Sequence, residues 1–88
     1  MKIKDGFILR EVAGSYLVVA VGNAVKEFGG IVNLNETGAF LWKQLGAHAT
    51  EDALVQALLA EYAVADDMAR ADVAAFLGKL RDADLLDE

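Results

Sequence analysis

The chain has 88 residues, a net charge of −6 at neutral pH, no cysteine and no proline, with 56 % hydrophobic and 25 % charged residues. A chain of this size is expected to form one domain, residues 1–88, whose folding buries only about 60–65 % of the surface that the unfolded form exposes, so an elaborate enclosed active site is not expected. The missing cysteines exclude a disulfide framework, a thiolate metal or iron–sulfur site and a thiol nucleophile.

Residues 6–21 are rich in Phe, Ile, Leu, Val and Tyr and are broken once, at Ala13-Gly14-Ser15, which is the pattern of a β-hairpin. The first arm, residues 7–12, alternates imperfectly. The second, residues 16–21, is apolar on both faces and is the expected central strand. Gly22-Asn23 ends it, residues 24–28 fit one helical turn, and Gly29-Gly30 supplies a permissive reversal into a short third strand, Ile31-Val32-Asn33-Leu34.

After Leu34 the apolar period lengthens from about 2 to about 3.6, where a sheet hands over to helices. Asn35 is a good N-cap, Glu36 sits in the first turn, and Gly38, Leu41, Trp42 and Leu45 share a face. Together these predict a helix over residues 36–45, closed by Gly46. Trp42, on that shared face, is a core residue. Thr50 caps a second helix over residues 51–62, with Glu51 and Asp52 at its positive end and Leu54, Leu58 and Tyr62 turned inward. A third helix opens at Asp66 or Asp67 and carries Ala69, Val73, Phe76, Leu77 and Leu80 as its core stripe. Its end lacks glycine, and Asp84 stands at the left-handed position before Leu85-Leu86. The fold class is therefore α+β, with three N-terminal antiparallel strands followed by three helices and no internal repeat or linker.

Chemistry-bearing residues do not converge. His48, the only histidine, lies in the polar connection after the first helix and reads as a surface residue. Ser15 is the only serine, so no Ser-His-Asp set exists. The carboxylates of Asp66, Asp67, Asp72, Asp82, Asp84, Asp87 and Glu88 spread around or beyond the third helix with no second ligand type, as a solvated face does. Asn35-Glu36-Thr37 matches a glycosylation sequon, but the capping role of Asn35 accounts for it. No glycine-rich loop has the spacing or the lysine of a phosphate cradle. No catalytic residue, metal or cofactor is expected, and the chain does not read as an enzyme. There is no basic-then-apolar secretion signal, and residues 17–21 are too short to span a bilayer, so the expected location is the cytoplasm with no membrane partner.

What remains is binding. In a three-stranded sheet the outer strands have an open edge whose backbone groups a partner peptide can satisfy by adding a strand. The third strand carries no Lys, Arg or Pro to deter pairing, whereas the first has Arg10 and Glu11; on the pattern alone, the alternative of an ordinary edge protected by its shortness is the commoner case.

The run Leu34-Asn35-Glu36-Thr37-Gly38-Ala39-Phe40-Leu41-Trp42, with Thr50-Glu51-Asp52 and Ala71-Asp72-Val73-Ala74-Ala75-Phe76-Leu77, resembles the PqqD family, peptide-recognition elements of ribosomal peptide modification. The likeness extends from Lys4-Asp5-Gly6-Phe7 to Leu85-Leu86, with Asp84 where the family usually has glycine. This resemblance implies a winged-helix-like domain and a non-catalytic adaptor. It implies that the leader segment of a precursor peptide is captured as a strand against the third strand, in the groove beside the third helix. The leader is then presented to a separate maturation enzyme such as a radical-SAM protein or a cyclase.

Carried onto this sequence, the docking edge is Ile31, Val32, Asn33 and Leu34. On a helical wheel Arg70, Ala74, Leu77 and Arg81 form one flank of the core stripe, an apolar strip with a positive group near each end, and this flank is the expected groove wall for acidic leader residues. The alternative is that Asp66 and Asp67 pair with Arg70 along the helix and Arg81 is simply solvated. Two other functions compete. A winged-helix DNA-binding module is opposed by charge, since Arg70, Lys79 and Arg81 face ten acidic residues after Ala47. Nucleic acid is therefore not an expected partner. A homodimerising module would pair the third strand or third helix between copies, and the expected state is a monomer or weak homodimer.

Overall fold

The computed structural model describes residues 1–26 and 30–88. In chain order the elements are β1 (Lys2–Ile3), β2 (Phe7–Val12), β3 (Ser15–Ala20), β4 (Val32–Leu34), α1 (Glu36–Gln44), α2 (Glu51–Glu61), α3 (Asp66–Asp82) and β5 (Leu86–Asp87). A short 3-10 turn, Gly22–Lys26, follows β3. It meets the expected turn over its first residues, while residues 27–29 lie outside the described part of the chain.

The hairpin forms where the apolar runs place it. Register pairs Val12 with Ser15 and leaves Ala13 and Gly14 as a two-residue loop, with φ of 51° and 82°. Positive φ at both positions matches the right-handed twist of the strands. β4 adds antiparallel to β3, giving the order β2-β3-β4 with β3 central, as its two-sided apolar sequence predicts. One face of this sheet, through Phe7, Leu9, Val18, Val32 and Leu34, packs on the helices, and Val18 is fully buried. The last strand is shorter than the sequence suggests: it begins at Val32, and Ile31 stands outside it, 61 % exposed.

The turn from sheet to helix is held by the residues that carry its motif. The Asn35 side-chain oxygen accepts the Gly38 N–H at 2.7 Å, which satisfies one of the open donors at the start of α1. Gly38 is buried, and a Cβ there would stand 3.3 Å from the Leu34 Cβ and 3.1 Å from the capping oxygen. The absence of that atom lets the first turn of α1 lie directly on β4. Thr50 caps α2 in the same way, accepting the Ala53 N–H at 3.0 Å. Phe40 on α1 meets Tyr62 edge-to-face, with centroids 5.5 Å apart, at the C-terminal end of α2. The core stripe of α3 is buried as its period predicts, and Trp42 is 8 % exposed among the core residues.

The end of α3 is a Schellman turn. Leu85 N–H bonds the Leu80 carbonyl and Asp84 N–H bonds the Arg81 carbonyl, with Asp84 at φ 59°. Leu80 and Leu85 are both fully buried, which supplies the apolar contact that such turns favour. The Asp84 carboxylate receives the Lys4 ammonium at 2.7 Å, so the residue that replaces glycine acquires a partner. This turn sends Leu86 back against Ile3 and creates the β1–β5 pair, which no pattern in the sequence announces because two-residue strands carry no period. Among the described residues no helix is long and apolar enough to cross a membrane.

The close approach at Gly38 has a measurable consequence. Alanine is the better helix former by about 1 kcal/mol, but here its methyl displaces either Leu34 or the Asn35 cap, at a typical cost of about 1–3 kcal/mol. Gly38→Ala is expected to lower the urea midpoint of unfolding, whereas a higher midpoint would show that the seam has room to spare.

Candidate functional site

β4 is one of the two edge strands of the sheet, β2 being the other, and the geometry of its edge follows from register. Val32 and Leu34 stand opposite Val18 and Tyr16, while the carbonyl of the residue between them, Asn33, accepts a hydrogen bond from the Lys79 ammonium on α3. In a strand the N–H and C=O of one residue point the same way, so the Asn33 peptide groups face away from β3 and toward α3. A cleft of about 480 Å³ lies on that side. Asn33, Leu34 and Asn35 form its sheet wall, Thr37, Gly38 and Leu41 its end at α1, and Asp72, Ala75, Phe76 and Lys79 its wall on α3. Lys79 is the single cation and Asp72 the single anion among these lining residues. A second concavity, of about 390 Å³, adjoins the same end of β4 and is lined by Gly14, Ser15, Tyr16 and Glu36 besides Asn33, Leu34 and Asn35.

The expected edge residues Val32, Asn33 and Leu34 are therefore together on β4, with Ile31 just before it. The expected helical wall is not beside them. Leu77 is fully buried in the core. The Arg70 guanidinium bonds Asp66 at 2.8 Å and lies 3.7 Å from Asp52 at the start of α2. Arg81 pairs with Glu88 at 3.0 Å, beyond β5. Ala74 is exposed on this same side, and none of the four lines either concavity. The wall of the cleft is the opposite flank of α3, through Asp72, Ala75, Phe76 and Lys79. A helical wheel displays two flanks to a core stripe, and the choice between them depends on which neighbour lies on each side.

The electrostatics agree with this placement. The hydrogen bond to Asp66 raises the Arg70 guanidinium above its ordinary value, and the one to Glu88 does the same for Arg81. The bond from Arg81 holds the Glu88 carboxyl below its usual range, against a smaller opposing desolvation. Two of the three cations on α3 thus have carboxylate partners, and the Arg70–Asp66 pair is the along-helix alternative that the sequence allows. No continuous basic face is left on α3 for nucleic acid. His48 is exposed in the loop before α2, and among the described residues no three His, Cys, Asp or Glu side chains are grouped to hold a metal ion.

An open-edged three-stranded sheet, with a long helix across a cleft from the edge, defines this chain as a small winged-helix-like α+β protein. It belongs to the PqqD family, since the family model described as "Coenzyme PQQ synthesis protein D (PqqD)" matches residues 8–86. No curated protein matches the sequence significantly. Among solved structures, one described as "TbiB1 in Complex with the TbiA(beta) Leader Peptide" superposes with a TM-score of 0.76 and 24 % identity, over 99 % of this chain and 95 % of that one. That likeness is one of fold.

Two outcomes separate the flanks of α3. Leu77→Ala removes a fully buried side chain and is expected to cost about 2–5 kcal/mol of stability by urea denaturation, as a core truncation does. A cost near zero would place Leu77 on the surface. For Glu88, whose pKa is lowered on folding, the pairing contributes above the ordinary carboxylate range and is lost as pH falls through the lowered value. Arg81→Gln is expected to return the Glu88 titration, followed by carboxyl ¹³C shifts, to the ordinary range. An unchanged titration would mean that the pair does not form in solution.

Proposed function

We infer that this protein is a peptide-binding adaptor that takes up the leader segment of a ribosomally made precursor as an added strand on β4 and presents it to a separate maturation enzyme. The observation that carries this reading is the outward Asn33 peptide unit, whose N–H and C=O face a cleft open along α3. An added strand supplies an acceptor for the Asn33 N–H and a backbone donor that takes the place of Lys79 at its carbonyl. Family membership supports it, as does the fold shared with a protein solved together with a leader peptide. The docking surface is Val32, Asn33 and Leu34 with Ile31 at its start, faced by Ala75 and Phe76 between Asp72 and Lys79.

In this role the domain makes and breaks no covalent bond. Its contribution is to hold a flexible peptide near its enzyme, which raises the effective concentration of the segment to be modified. A radical-SAM protein or a cyclase is the kind of enzyme it would serve, in the cytoplasm where the precursor is made. The charge distribution of α3 favours a peptide over nucleic acid, because Arg70 and Arg81 are already paired with carboxylates. A short strand with a shallow cleft gives an affinity on the order of micromolar.

The test is an amide-shift titration of ¹⁵N-labelled protein with leader peptides from the precursor-like open reading frames that neighbour its gene. A bound leader is expected to move Val32, Asn33 and Leu34 together with Ala75, Phe76 and Lys79. Methylating alternate backbone nitrogens of that peptide is expected to weaken binding roughly tenfold or more, because the ladder donors are removed. Shifts confined to the Arg70, Ala74 and Arg81 side of α3, or affinity indifferent to methylation, would overturn strand addition at β4.

A further inference from the structure

The carbonyl that an incoming strand must use is already occupied. Lys79 reaches from α3 across the cleft and donates to the Asn33 carbonyl, a contact spanning 46 positions in sequence. β4 itself carries no charged residue, since its sequence is Val-Asn-Leu. The charge that guards natural sheet edges against unwanted pairing is here supplied by the neighbouring helix. Arg70 and Arg81 are held by carboxylates, whereas Lys79 is in none of the ion pairs among the described residues. Its partner is the edge itself.

Resting on the docking of a leader strand at β4, we propose that Lys79 is a displaceable cap of that edge and makes the site selective for leaders with an acidic side chain facing α3. When a peptide N–H takes the Asn33 carbonyl, the ammonium loses its acceptor and stays in the cleft as the single cation among the lining residues. A carboxylate on the added strand restores a charge-assisted bond and recovers what the displacement costs. A neutral side chain there leaves the ammonium with water alone. An acid near Asp72, about 10 Å away along the helix, meets a like charge instead. The two ends of the cleft therefore discriminate in opposite senses, which also sets how the acidic residue of the leader is aligned along the groove.

The experiment is a cycle between protein and peptide. The probe is a leader that moves the Val32, Asn33 and Leu34 amides, together with variants in which each of its acidic residues is exchanged in turn for Asn or Gln. Each is titrated against the unaltered protein, Lys79→Met and Lys79→Arg. In the unaltered protein, one exchange is expected to weaken binding roughly fivefold, the upper range for a partly exposed pair. Lys79→Met is expected to erase that difference and to bind the neutral variant at least as tightly as the unaltered protein does, because no cap has to be displaced. Lys79→Arg is expected to restore the preference. If all peptides still move the β4 amides but every acidic exchange is neutral, or if the preference persists in Lys79→Met, the proposed selectivity is overturned while strand docking stands. If no neighbouring leader moves those amides, docking at β4 fails and the selectivity falls with it.

Discussion

The contact on which the rest of the structure depends is the seam between β4 and α1. Asn35 leaves the strand, turns, and accepts the Gly38 N–H at 2.7 Å, while Gly38 presents no side chain toward Leu34. These two conditions are one constraint, because a side chain at Gly38 would crowd both the cap and the strand. The seam brings α1 tightly against the end of β4. It leaves the lateral edge of the strand uncovered by α1, with α3 standing across a gap.

Charge is distributed with the same dependence on position. The chain is acidic, with ten of its 14 carboxylates after Ala47, yet the cations of α3 have distinct surroundings. Arg70, four residues after Asp66 and near the start of α2, is drawn into a local pair. Arg81 meets Glu88 because the Schellman turn at Asp84 folds the following residues back along the helix. Exposed pairs of this kind contribute little to stability, but they determine which cations of α3 have a carboxylate partner. Lys79 faces the cleft, where it has a backbone carbonyl and no carboxylate partner.

Much of the architecture was legible in the sequence because it rests on local signals. Periods of about 2 and 3.6 located the hairpin and the three helices, and Asn35 and Thr50 marked two helix starts. The left-handed residue at the end of α3 was legible in the place of Asp84 before Leu85-Leu86. The β1–β5 pair was not, since two residues per strand show no period and the pair joins opposite ends of the chain, Lys2 with Asp87. Beside the cleft, the edge strand was legible in the uncharged Val-Asn-Leu run. The flank of α3 that lines the cleft was not: Arg70, Ala74, Leu77 and Arg81 lie on the other flank of the stripe, and Leu77 belongs to the core. The only hint of the nearer flank was Asp72 and Lys79, about two turns apart on one face.

The sequence by itself determined the element order, the central strand, the caps and the buried stripe of each helix, because these depend on residues close together in the chain and on burial alone. Only the tertiary structure decided which flank of α3 faces β4 and which of its cations stays unpaired by a carboxylate. An amphipathic pattern specifies the side of a helix that is buried, not the neighbours to its left and right. Those are set by how α1, α2 and the sheet arrange themselves around the same core, and Lys79 acquires its place at the edge of β4 only when that arrangement is complete.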